Sequence, residues 1–116
     1  MLNHWLKPVA LHELFSGELE SNHLGYHVAF HDQQLGIPDL KEVKIAIIGV
    51  EAESADPIRR QLYKLSHHFE GLKIADLGNL RKANLDFSIG ALSEIRAIGI
   101  LPVLIGEDVR FAQALY

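Results

Sequence analysis

Residues 41–50, K-E-V-K-I-A-I-I-G-V, constrain the fold more than any other stretch of the chain. The second half is too apolar for a surface strand and too short for a buried helix. Six of the seven residues from 45 to 51 are apolar or glycine, and Ile45, Ile47, Ile48 and Val50 supply β-branched bulk. Such a run suits a strand covered on both faces, the usual place of a central strand in a parallel sheet flanked by helices. Residues 72–76 (L-K-I-A-D) and 100–105 (I-L-P-V-L-I) read as two further strands. Segments of helical period lie between them. From residue 41 the chain therefore reads β-α-β-α-β, followed by the opening of another helix near Asp108.

In the first helix Asp56 is a good N-cap and Pro57 suits the first helical position, where a missing N–H costs nothing. Ile58, Leu62, Leu65 and Phe69 fall on one stripe, the expected buried face. Arg59, Arg60 and Lys64 lie off it, and His67-His68 and Gly71 close the helix. The second helix is expected from Asn84 or Asp86 to about Ile98, with Leu85, Ile89, Leu92 and Ile95 inward and Gly99 as the stop.

Residues 1–40 differ in character. They hold five of the seven histidines and the only tryptophan, without sustained period. Residues 9–15 suit a short helix after Pro8, halted by Ser16-Gly17. From Gly25, Tyr26, Val28 and Phe30 alternate with His27, Ala29 and His31, the pattern of a half-buried strand. Gly36-Ile37-Pro38-Asp39 then turns the chain into the central strand. The organisation is an N-terminal arm, 1–40, packed on an α/β domain, 41–116.

A chain of 116 residues, 48% apolar and 22% charged, has room for one domain with its own core. The net charge of −4 gives no footprint for nucleic acid. Without cysteine there are no disulfides, thiolate metal sites or thiol catalysis. No apolar run approaches the ~18 residues of a membrane span, and the N-terminus lacks a signal-peptide core. A cytoplasmic protein that binds neither nucleic acid nor membrane is the expectation.

In parallel α/β sheets ligands bind beyond the carboxyl ends of the strands. Glu51 and Glu53 follow the first strand, Asp76 and Asn79 the second, Glu107 and Asp108 the third. Such oxygens can hold a hard divalent cation, but Asp56 and Asp108 equally suit helix N-termini. His23, His27 and His31 would stack on a helix. On a strand four residues span about 13 Å, too far to share one ion, so they read as a solvated polar face. Neither G-x-G-x-x-G nor G-x-x-x-x-G-K-[ST] occurs, and no serine sits in a nucleophile elbow.

K-I-A-I-I-G-V, D-P-I-R-R-Q-L-Y-K-L, I-A-D-L-G-N-L and L-P-V-L-I-G-E-D, in that order over residues 43–116, resemble the N-terminal third of the arginase/agmatinase/formiminoglutamase (ureohydrolase) family. The resemblance implies a three-layer α/β/α fold with a parallel sheet, here in the order 2-1-3. It also implies kinship with hydrolases that use paired manganese ions to activate water against a linear amidine carbon. The sequence departs from the family where that chemistry lies. The G-G-D-H-S stretch stands as Gly106-Glu107-Asp108-Val109-Arg110, with valine in place of the metal-binding histidine. The first strand–helix loop is only residues 51–55, and the later D-x-H-x-D and S-x-D-x-D segments are absent. No catalytic residue carries over, and no cofactor is expected in this chain.

The sequence thus points to an N-terminal, structural and oligomerising ureohydrolase-like domain, inactive alone. Its expected partners are further copies of itself or the C-terminal part of its own chain. The alternative is a metal-dependent C–N hydrolase whose site, with Glu51, Asp76, Glu107 and Asp108 as weak metal candidates, is completed by another segment or subunit. A receiver-like or nucleotide-binding module fits less well, for want of a later strand carrying a lysine. In the resembling fold the third strand is interior, so residues 100–105 should leave an apolar edge. That edge invites self-association or cover by residues 1–40.

Overall fold

Among the described residues, five strands and two helices build an α/β domain with a mixed sheet. The computed structural model describes residues 2–10, 19–66, 71–82 and 84–106. In chain order the elements are β1 (Leu6–Lys7), β2 (Ala29–Phe30), β3 (Val43–Gly49), α1 (Ala52–Leu62), β4 (Lys73–Leu80), α2 (Leu85–Ala97) and β5 (Leu101–Ile105). β3 lies between β4 and β5 and runs parallel to both, so the three strands read from residue 41 onward stand in the order second, first, third. The arm makes the sheet mixed rather than purely parallel. β1 pairs antiparallel with the end of β4 (Leu6 opposite Leu80), and β2 pairs parallel with its middle (Phe30 opposite Asp76).

Alternation along β3 explains its apolar density. Val43, Ala46 and Ile48 enter one core with Ala75 and Leu77 of β4 and Ala91, Leu92 and Ile95 of α2. Ile45 and Ile47 enter a second core with Ile74, Leu62 and Tyr63. A strand feeding two cores has no polar face to display.

α2 is much as its caps foretell. The Asn84 side chain accepts from the Phe87 N–H, and Gly99, at φ +82°, ends the helix with its N–H on the Arg96 carbonyl. Its inner face is Ser88, Ala91, Leu92 and Ile95, whereas Ile89 is exposed.

α1 departs from expectation. It begins at Ala52 with Glu51 as N-cap, so Asp56 and Pro57 lie inside it rather than at its start. Its buried residues are Ala55, Arg59 and the following Tyr63, spaced i, i+4, i+8. Ile58 and Leu65, assigned inward by the apolar stripe, are 42% and 57% exposed. The helix is anchored by a polar side chain instead. Phe69 and His67-His68 lie outside the described residues.

In the arm, a 3-10 turn (Leu24–His27) replaces most of the alternating strand, and only Ala29–Phe30 pair. Tyr26 is exposed and His31 buried, the reverse of the alternation. The turn is held against the end of α1, Leu24 N–H to Leu65 O and Gly25 N–H to Tyr63 O. Asp32 and Gly36 exchange backbone bonds around a turn over residues 33–35, just before the 36–39 stretch expected to turn. Most of the proposed 9–15 helix lies outside the described residues. β1 and β2 both border β4, so these parts of the arm cover the edge opposite β5. Among the described residues no part of the arm pairs with β5.

Candidate functional site

A single extra residue in β4 creates the main polar feature of the molecule. Ile47 pairs with Asp76 but Ile48 pairs with Gly78, so Leu77 is bulged out of register. Gly78 takes φ +92°, and a Cβ there would stand 2.0 Å from the Lys7 carbonyl oxygen, so only glycine fits. Strand alternation alone would turn Asp76 and Asn79 to opposite faces. The bulge shifts the count by one and brings both under α1, within reach of Arg59.

Leu77 falls between the stretches of β4 paired by β2 and by β1. Its carbonyl is met by Nδ1 of the buried His31 at 2.9 Å, the Nδ1–H donating. The His31 backbone spans the same gap, its N–H on Asp76 O and its carbonyl accepting from Val9. His31 is therefore a bridge between arm and sheet.

Arg59 is fully buried, yet all five of its N–H groups find acceptors. Nε donates to Asp76 Oδ2 at 2.7 Å, and Nη2 to Asp76 Oδ1 and the Gly78 carbonyl, both at 3.0 Å. Nη1 donates to Asn79 Oδ1 at 2.6 Å and Asp56 Oδ1 at 3.1 Å. Each Asp76 oxygen accepts a second bond, Oδ2 from Tyr63 OH at 2.5 Å and Oδ1 from Gly78 N–H at 2.9 Å. Burial opposes the Arg59 charge, and Asp76 first, with Tyr63 and Asp56, more than offsets it, holding the guanidinium above its ordinary range. Burial first, then the neighbouring Asp76 charge, pushes the Tyr63 hydroxyl far up. Gly49 admits this arrangement, because a Cβ there would lie 2.0 Å from Asn79 Oδ1.

The Arg59 guanidinium and the Asp76 carboxylate are saturated. Asp76 has both oxygens doubly engaged inside the protein, and Asn79, the other polar group expected after the second strand, accepts from Arg59 in the same cluster. Glu51 is exposed at the carboxyl end of β3 and makes no side-chain cap bond. Glu107 and Asp108 lie outside the described residues. Among the described residues no group of three or more His, Asp or Glu side chains is gathered to share an ion. Of the histidine trio, His31 serves the bulge, His27 Nε2 contacts Ser21 O at 2.6 Å, and His23 Nδ1 accepts from Glu20 N–H. Sequence reasoning gave Arg59 and Tyr63 no role and set His31 on a solvated face, whereas all three are buried. A signal existed for the first two, since Ala55, Arg59 and Tyr63 share a helical face that ends on an aromatic.

The other open feature is β5. Among the described residues it pairs with β3 alone, and Leu101 and Val103 are 59% and 37% exposed. No helix among the described residues is long and apolar enough to cross a membrane. Compared with protein-family models, curated proteins and solved structures, the chain gives no match.

Proposed function

We propose that this chain is a cytoplasmic, non-catalytic N-terminal domain of a ureohydrolase-like protein, with an α/β/α layering, whose role is structural. It supplies a preformed half-sheet whose β5 side is completed by further protein. One observation carries the reading. Two of the four motifs that carry the resemblance, those holding D-P-I-R and D-L-G-N, meet in one buried cluster through Arg59, Asp76, Gly78 and Asn79. Those residues are engaged with one another rather than open to a substrate, which suits a scaffold shared with the family and not its chemistry. Exposed Leu101 and Val103 at the edge support a missing neighbour.

The test is a calorimetric manganese titration of the chain with a parallel assay of arginine, agmatine and formiminoglutamate hydrolysis. Absence of stoichiometric binding and of turnover is expected. Stoichiometric manganese binding that disappears in Asp108→Ala would instead establish the alternative, a metal-dependent hydrolase completed by another segment or subunit.

A further inference from the structure

The apolar flank that α1 keeps out of the core lies beside a bare face of β5. Asp56 bonds Arg59 Nη1, which also bonds Asn79 of β4, so the Asp56 flank of the helix faces β4. At about 100° per residue, Ile58 and Leu62 stand on the opposite flank, toward β5. Leu62 is half-buried against the core that holds Ile47 and Ile105, whereas Ile58 is exposed. Glu53 and Arg60 fall on the Asp56 side by the same spacing, so the β5 flank of α1 carries no charge. On β5, Leu104 packs with α2 and Pro102 is buried on the same face. Leu101 and Val103 point the other way, beside their partners Ile45 and Ile47, and both are exposed. Among the described residues, Leu101 and Val103 thus floor an apolar trough whose wall is Ile58 and Leu62.

We infer that residues 107–116 of the same chain fill this trough, folded back along β5 as a helix. Gly106 lies against the first turn of α1, where a Cβ on it would stand 2.7 Å from the Ala55 nitrogen, so the chain leaves β5 on the α1 side. The opposite face of β5 is already taken by α2. The residues that follow are E-D-V-R-F-A-Q-A-L-Y. With Asp108 as N-cap, helical spacing gathers Val109, Phe111, Ala112, Leu115 and Tyr116 on one side and sets Arg110 opposite. A helix over 109–116 spans ~12 Å, and β5 from Ile105 back to Leu101 spans ~13 Å, so the segment reaches both exposed side chains. Its apolar side matches an uncharged trough, and covering Ile58, Leu101 and Val103 removes apolar surface from water. The inference concerns the face of β5 and not its backbone edge. It therefore holds with or without a neighbouring strand, and with or without kinship to the ureohydrolases.

The test is nuclear magnetic resonance on the full, unaltered chain. Nuclear Overhauser contacts are expected between the Phe111 ring and the methyls of Leu101 and Val103, within one molecule and at the same relative intensity over a concentration series. Absence of these contacts overturns the inference. So does their appearance only between labelled and unlabelled copies in a mixed sample, which would make a second copy the occupant. A variant gives an independent reading. Leu101→Ser with Val103→Ser changes only exposed side chains, and should speed hydrogen exchange at the amides of Ala112 and Leu115 at least about tenfold. Equal exchange in the variant and the unaltered chain overturns the inference.

Discussion

Arg59 on α1 and Asp76 on β4 form a fully buried bidentate pair, Nε to Oδ2 at 2.7 Å and Nη2 to Oδ1 at 3.0 Å. A buried pair of this kind adds little net stability over a well-packed apolar substitute, but removing one partner leaves an uncompensated charge. Arg59→Met should therefore cost ~3–5 kcal/mol, a large part of the ~5–15 kcal/mol of an ordinary domain. Arg59→Met with Asp76→Leu should cost less than the sum of the single changes by ~1–3 kcal/mol. Urea denaturation of the four proteins measures the coupling. Additive losses would mean that the pair does not act as a unit.

Tyr63 donates to the same carboxylate, and its raised pKa fixes a sign. Below pH ~10 both folded and unfolded chains keep the phenol protonated, and its contribution is fully present. Above that, the unfolded chain releases the proton while the folded one retains it, so stability falls with pH by ~1.4 kcal/mol per unit. Urea midpoints between pH 8 and 11 should show this fall, and Tyr63→Phe should flatten it. An equal slope in the variant would assign the alkaline loss elsewhere.

The bulge at Leu77 depends on Gly78. Gly78→Ala combines a left-handed backbone at φ +92° with a Cβ driven into the Lys7 carbonyl. A loss of more than ~2 kcal/mol is expected, with faster hydrogen exchange in β1 and at His31, because both arm strands are registered on this part of β4. A loss confined to stability, with the arm as protected as before, would uncouple bulge and arm.

α1 separates two accounts of how the helix is held. Ile58→Ser and Leu65→Ser should each change stability by less than ~1 kcal/mol, since both side chains face solvent in large part. Losses of ~2 kcal/mol or more, typical of core truncation, would restore the apolar-stripe assignment.

Most of the sheet was legible because a strand feeding two cores has to be apolar throughout, as Ile45–Ile48 are. Asn84 and Gly99 marked α2 because capping is local chemistry. α1 was misread for a physical reason. Period analysis assigns the core to apolar residues, and here Arg59 holds the inner face, its charge matched by a residue 17 positions away. The Asp76–Asn79 convergence depends on a one-residue bulge whose trace in the sequence is Gly78 alone. In the arm, alternation over residues 26–31 gave way to tertiary bonds from Tyr63, Leu65 and Asp76.

The central claim, that this domain is the N-terminal part of a larger structural whole, is tested most directly by the mass of the native gene product. Blotting or intact-mass spectrometry of the protein from its own cell should reveal a species much larger than the 13.0 kDa of this chain. A native species of 13.0 kDa would contradict the account and leave a free-standing half-sheet to be explained.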